Sequence, residues 1–478
     1  MSQEKHKPVV APEDRVPVGQ KVAYGAGCMT GQFVTGVTLQ MFNPVFNIMM
    51  GISPAVIGGV LMFYRLWDSV TDVVMGNISD NARTRWGRRR PFIIIGSVLA
   101  GFILPWVWQA SRDWSDTTII AYMIVTGVLL YTASTIWGMP YYSLGMELTP
   151  DYNERTRVTA VRAVFEKLAG LFAGWMLALT SMQIFADPVT GEPDVARGMS
   201  YISIFIGVCA ILFGILPGLF VKERYYQKDA AKQKKIGLVH SMKVTLTCKP
   251  FMVLMSVYLL QVIGSSMVGA LGMYLNIYYV NSGDIQTAGI IQGWKSTATL
   301  IPGILSVPFW AWVSEKLGKR HALALTILLG FIANILIYFC YTPEHPYLQI
   351  VPHVFLSAFG SAIWMLIPSM QADIADYDEL NTGERREGSF SSISSWFFKL
   401  AMTLTTGVSG VIITLTGFDV VKYGKAQPPE VLQRMLEWYV FMPMVLWVIA
   451  LFMLSRYKLT HGKVMEIRTQ LEARRGVV

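Results

Sequence analysis

The chain has 478 residues, 53% of them hydrophobic and only 15% charged, with a net charge of +9. A soluble domain carries about 25% charged residues, and apolar stretches of helix-spanning length recur along the whole chain, which excludes a large soluble α/β protein. The basic excess sits in a few short loops, a pattern of membrane orientation and not of nucleic-acid binding.

Residues 1–20 are polar and contain proline, without the apolar core and small-residue cleavage site of a signal peptide, so the first hydrophobic segment is expected to stay in the protein. Twelve spans are then expected at 21–49, 54–79, 91–110, 117–146, 159–183, 200–221, 251–280, 286–313, 322–342, 348–371, 389–416 and 435–456. Each is long enough to cross about 30 Å of hydrocarbon at about 1.5 Å per residue.

Lys and Arg set the orientation. Arg83, Arg85, Arg88, Arg89 and Arg90 follow the second span, and Lys222, Arg224, Lys228, Lys232, Lys234, Lys235, Lys243 and Lys249 fill the middle loop. Lys316, Lys319 and Arg320 follow the eighth, and Arg456, Lys458, Lys463, Arg468, Arg474 and Arg475 the last. With twelve spans these fall on one side together with both termini, which the positive-inside rule makes cytoplasmic. The opposite loops hold Asp113, Asp116, Asp187, Glu192, Asp194 and Glu344.

The second span contains Arg65, Asp68 and Asp72, spaced to project from one helix face. A charge at the centre of a membrane helix costs about 2.5–3.5 kcal/mol on insertion scales. Two carboxylates one turn apart can hold a small cation or share a proton. The competing role is a structural salt bridge from Arg65 to Asp68, but one arginine cannot neutralise two aspartates. Lys399 lies deep in the eleventh span, where it either snorkels to an interface or balances a buried carboxylate. Lys295 and the Glu166–Lys167 pair are weaker cases of the same kind. Trp137, Tyr141, Tyr142, Trp364 and Trp396 lie on polar stretches within the spans, where aromatic faces can stack on sugar rings or simply pack. The cysteines Cys28, Cys209, Cys248 and Cys340 form no metal-ligand spacing. No GxxxxGK[ST], HExxH or GxSxG pattern occurs, so no ATP-hydrolysing or other catalytic centre is expected and the chain is read as no enzyme.

The chain also repeats itself at about half its length. Trp86-Gly87-Arg88-Arg89 corresponds to Leu317-Gly318-Lys319-Arg320, Trp137 to Pro140 corresponds to Trp364 to Pro368, and Asp151-Tyr152 with Glu154-Arg155 corresponds to Asp376-Tyr377 with Glu384-Arg385. The expected architecture is an all-α membrane protein of the major facilitator fold, with twelve transmembrane helices in two pseudo-symmetric six-helix halves. The expected organisation is a cytoplasmic segment at 1–20, halves at 21–222 and 250–457, a cytoplasmic middle loop at 223–249 and a cytoplasmic tail at 458–478.

Trp67-Asp68 with Asp72, Gly76 and Asp80, followed by Arg85-Trp86-Gly87-Arg88-Arg89-Arg90-Pro91, resembles the signature of the glycoside–pentoside–hexuronide:cation symporters. The resemblance continues in Pro140 to Leu144, Glu154 to Thr156, Ala372 to Tyr377, and Arg386-Glu387-Gly388 leading to Lys399. It implies symport of a sugar or glycoside with sodium or a proton by alternating access, with no cofactor beyond the coupling ion. The cation site it implies is Asp68, Asp72, Thr71 and Thr135, with sodium at Asp68 and Asp72 as one option and Arg65 as charge partner. The substrate site it implies is Gln32, Tyr142, Arg162, Trp364 and Lys399. Gln32 and Gly138 stand where well-known members have aspartates, and Thr71 where an asparagine favours sodium. These departures leave the coupling ion open and point to a bulkier or an anionic substrate. The partners expected are a sugar or glycoside, the cation and the bilayer, with no nucleic acid and a functional monomer in a bacterial inner membrane. The alternatives are a carrier of hexuronides or lipid-like solutes, and a non-transporting membrane receptor.

Overall fold

The computed structural model describes residues 14–149, 151–223, 246–383 and 387–475. Arg224, Lys228, Lys232, Lys234, Lys235 and Lys243 of the middle loop, Glu384, Arg385 and Arg386, and residues 1–13 of the N-terminal segment lie outside the described residues.

Among the described residues every regular element is helical. Helix α1 covers 18–49, where α-helical Val18–Gly31 and Val37–Phe42 alternate with π-type turns at Gln32–Gly36 and Asn43–Met49. There follow α2 (Pro54–Asn81), α3 (Arg90–Val107), α4 (Asp116–Met146) and α5 (Tyr152–Gly174), which resumes as Met176–Thr180. Next come α6 (Val195–Phe220), α7 (Lys249–Val280), α8 (Ile285–Leu317) and α9 (Lys319–Cys340). The chain continues through α10 (Ile350–Thr382), α11 (Glu387–Leu415), α12 (Pro429–Ser455) and α13 (His461–Arg475).

In hydrocarbon a helix satisfies its backbone polar groups within itself, which is why the long apolar runs take this form. Among the described residues ten elements, α3 to α12, are long and apolar enough to span a membrane. The other two are helical over the expected ranges, but α1 is broken by its π turns and α2 carries Arg65, Asp68, Asp72 and Asp80 within 28 residues. Helix starts fall where short polar residues cap them. Ser115 accepts from Thr118 N at 3.3 Å, Asp151 from Glu154 N at 2.7 Å, Asp194 from Arg197 N at 3.0 Å and Asp284 from Thr287 N at 3.1 Å.

Two compact units divide the chain. One holds the chain up to Ile52 and resumes at Phe63; the other takes Ser53–Met62 together with the second half. The first turns of α2 therefore pack with α11: a Cβ on Gly410 would lie 2.1 Å from the Pro54 carbonyl oxygen, so only glycine permits the approach. In the first unit α3 and α6 meet in the same way, since a Cβ on Gly207 would lie 2.3 Å from the Gly101 carbonyl oxygen. Small residues at such crossings are how membrane helices pack closely.

The half-chain repeat acquires physical content. Gly87 and Gly318 both have positive φ, +104° and +81°. After Gly87, Arg89 bridges Glu147 at 2.8 Å and Arg88 bonds the same carboxylate; after Gly318, Lys319 bridges Asp373 at 2.6 Å. Glu223 fixes the first loop further by accepting the backbone N–H groups of Arg88, Arg89 and Arg90 at 3.0, 2.9 and 3.2 Å. A further correspondence is structural. The π turns Asn43–Met49 and Leu275–Val280 close α1 and α7, each contains Asn-Ile, and each is followed by a positive-φ glycine, Gly51 and Gly283.

Helix α13, in the tail, is announced by no long apolar run. It forms because Val464, Ile467 and Leu471, at helical spacing, are buried against the second unit's core.

Candidate functional site

Helices α2 and α4 bring Asp68, Thr71 and Thr135 together. The Thr135 hydroxyl donates to Asp68 Oδ1 at 2.9 Å, and the Thr71 and Thr135 hydroxyls lie 3.2 Å apart. Thr71 is itself one turn along α2 and bonds back to the Trp67 carbonyl at 3.1 Å, an ordinary satisfaction of a helical threonine. Trp67 Nε1 donates to Thr132 Oγ1 at 2.9 Å, three residues before Thr135, and so pins the two helices in this register. Neither Trp67 nor Thr132 was marked by spacing as a site residue, and no local signal distinguishes their pairing. Asp72, one turn beyond Asp68, is buried, and Thr135 is buried with it. Arg65, the expected charge partner, lies one turn before Asp68; its Nε has no hydrogen-bond partner among the described residues.

A second cluster in the same unit surrounds Arg162 on α5. Its guanidinium lies 5.8 Å from the Tyr142 ring centre and 3.7 Å from Glu166, and its carbonyl accepts from Cys28 Sγ at 3.4 Å. Tyr24, Tyr141 and Trp137 form a stack with centroid separations of 4.7 Å at both steps, held by the Tyr141 hydroxyl on the Tyr24 carbonyl at 2.8 Å. Tyr142 leaves this stack half exposed, edge-on to Tyr141 at 5.3 Å. Gly31, just before Gln32, approaches the stack: a Cβ there would lie 3.4 Å from Trp137 and 3.9 Å from the Tyr142 hydroxyl. Gln32 opens the first π turn, and its side chain lies over Gly36, whose Cβ would sit 2.5 Å from Gln32 Oε1. Beside Gly138 there is room, since a Cβ there would meet only the Tyr142 ring at 3.8 Å.

In the second unit, Trp364 on α10 is edge-on to Phe398 at 5.5 Å and to Tyr258 at 6.2 Å, and lines a cavity of about 490 Å³. Lys399 follows Phe398 on α11 and is exposed. Lys295 on α8 is buried.

A family model described as MFS/sugar transport protein matches residues 23–461. The chain belongs to this family. It is a multi-pass membrane transporter of the major facilitator fold and not an enzyme, and the resemblance to the glycoside–cation symporters holds across nearly the whole chain. It is 25% identical over 457 residues to the putative glycoside/cation symporter YagG of Escherichia coli, covering 94% of each chain. It is 23% identical over 486 residues to the sodium-dependent lysophosphatidylcholine symporter 1-B of Danio rerio, covering 94% of this chain and 89% of that one. In fold it is similar to the crystal structure of a D-xylose–proton symporter, with a TM-score of 0.58 and 15% identity over 90% of this chain and 96% of the other.

Proposed function

We propose that this transporter is a symporter that moves a sugar or glycoside together with sodium or a proton. The carrying observation is the oxygen cluster of α2 and α4, where the Thr135 hydroxyl lies 2.9 Å from the Asp68 carboxylate and 3.2 Å from the Thr71 hydroxyl, one turn from buried Asp72. Carboxylate and hydroxyl oxygens are the ligands a hard cation prefers. Burying a carboxylate such as that of Asp72 is unfavourable unless a cation or proton accompanies it. In this reading Asp68, Asp72, Thr71 and Thr135 receive the cation, and Gln32, Tyr142, Arg162, Trp364 and Lys399 receive the substrate. The name of the E. coli relative supports the substrate class. Both termini and the basic loops are assigned to the cytoplasm of a bacterial inner membrane, and the two six-helix halves to alternating access around a midplane site.

Gln32 carries no charge and Gly138 leaves space, so a glycoside bulkier than a simple galactoside fits this reading best. The lipid-like solute suggested by the zebrafish relative's name is the second reading. The expected result in proteoliposomes is counterflow of at least one glycoside, with accumulation driven by an inward sodium or proton gradient. Uptake that ignores both gradients would sink the coupling, and counterflow of lysophosphatidylcholine with no glycoside would favour the second reading.

A further inference from the structure

The second unit contains a buried polar group without a hydrogen-bond partner among the described residues. Gln261, on α7, is 3% exposed, and its side-chain amide makes no hydrogen bond among the described residues. One turn earlier, the Tyr258 hydroxyl has none either, and that residue is 8% exposed. Both line the cavity of about 490 Å³ beside Trp364. Buried amides and hydroxyls are almost always bonded, so two on one helix face, open to one space, point to a ligand or to water.

The rest of the lining defines what that ligand is. Among the described residues no Asp, Glu, Lys or Arg lines the cavity, although buried Lys295 is close enough to His353 to act on it electrostatically. His353 does, but both its ring nitrogens are engaged: Nδ1 faces the Gln349 carbonyl at 2.9 Å and Nε2 the Tyr439 hydroxyl at 3.1 Å. The carbonyl can only accept, which places a proton on Nδ1, while Nε2 and the Tyr439 hydroxyl satisfy each other. The Trp364 and Trp447 rings supply apolar walls. Uncharged hydrogen-bonding groups among aromatic faces, in a space of small-molecule size, suit a ring that is polar at its edge and apolar on its faces.

We propose that this cavity binds the glycosyl ring of a neutral, polyhydroxylated substrate, with the Gln261 amide and the Tyr258 hydroxyl as specificity-determining contacts to its hydroxyl groups. The proposal rests on the sugar-symport reading and deepens it, because it assigns neutral-ring recognition to the second unit and to residues that no motif marks. It favours a neutral glycoside over a hexuronide, since the Gln261 amide and the Tyr258 hydroxyl are uncharged and Lys295 is not among the lining residues.

The test is equilibrium binding to the full chain in lipid nanodiscs, with lactose, melibiose, maltotriose and methyl β-xyloside as neutral probes and glucuronate and lysophosphatidylcholine as rivals. At least one neutral probe is expected to bind. Tyr258→Phe, which removes one oxygen, and Gln261→Leu are each expected to weaken it about tenfold, the scale of one lost buried hydrogen bond. The Tyr258→Phe variant keeps the test valid should Gln261→Leu fail to fold. Wild-type affinity in both variants, with gradient-driven glycoside uptake intact, overturns the cavity assignment and leaves the symport reading standing. Binding of glucuronate or lysophosphatidylcholine in preference to every neutral probe also overturns it. If no probe binds and no glycoside is transported, the cavity holds water only and both readings fall.

Discussion

In the first unit, the polar side chains that meet between helices include a carboxylate and two hydroxyls: Asp68 held by Thr135 at 2.9 Å, with Thr71 at 3.2 Å from Thr135. In the second unit, the polar side chains around the large cavity are amides, phenols, aliphatic hydroxyls and one imidazole, with no carboxylate among the described residues that line it. The two units share a fold and matched loop ion pairs, yet the carboxylate–hydroxyl cluster of the first has no counterpart among the described residues lining the second unit's cavity. Repetition of a fold fixes where helices cross; it leaves the side chains at corresponding depths free to diverge. In the proposed reading the first unit holds the ion, and the second unit adds contacts to the substrate's neutral ring.

The largest effect that would test this division is on Asp68 and Asp72. Asp68→Asn and Asp72→Asn are each expected to abolish gradient-driven accumulation in proteoliposomes while the protein still folds and inserts. Full concentrative uptake by both variants would remove the first unit's claim to the ion.

An intermediate effect is expected from Thr135→Ala, which deletes the hydroxyl between Asp68 and Thr71. The cation concentration for half-maximal uptake should rise about tenfold, since a hydrogen bond to a charged group is worth about 1.5–3 kcal/mol. Thr135→Ser should restore most of it. An unchanged cation dependence in the alanine variant would show that the threonine only packs.

The smallest effect is expected at Gly138. A Cβ there meets the Tyr142 ring at an ordinary 3.8 Å, so Gly138→Ala should shift the melting temperature by no more than about 2 °C. A large loss would mean that the space beside Tyr142 is not free, and the argument for a bulkier substrate would weaken with it.

Much of the fold was legible because lipid-facing helices must be long and apolar, and the starts of α2, α4 and α12 announce themselves through Pro54, Ser115 and Pro429. The second span was legible at 54–79 from its apolar stretch despite its charges, and α2 is helical there. Two things were hidden. Helix α5 begins at Tyr152, earlier than its apolar stretch, because buried Glu154 is bonded by Lys21 at 2.5 Å and by the Val16 backbone N–H at 3.0 Å, partners more than 130 residues away in sequence. Gln261 and Tyr258 lie in an apolar run where a lone polar residue looks incidental, and only the cavity gives them meaning. Of the carried-over site residues, Asp68, Thr71 and Thr135 meet in space, as do Arg162 and Tyr142, and Trp364 stands on the cavity wall.

The π turns of α1 and α7 have a consequence for how these helices tolerate insertion and deletion. In an α-helix, removing one residue rotates everything beyond it by about 100° and would turn a buried face toward lipid. A π turn holds an extra residue in a wider ring, closing its hydrogen bond to i+5 in place of i+4. A one-residue deletion within Asn43–Met49 or Leu275–Val280 can therefore be absorbed by reversion to an α turn, leaving both flanking faces where they were. The same deletion in the middle of α6, which contains no such turn, has nowhere to go. Length variation among relatives should accordingly gather at the ends of the first and seventh helices, and a deletion scan of the chain should find its tolerated intramembrane positions there.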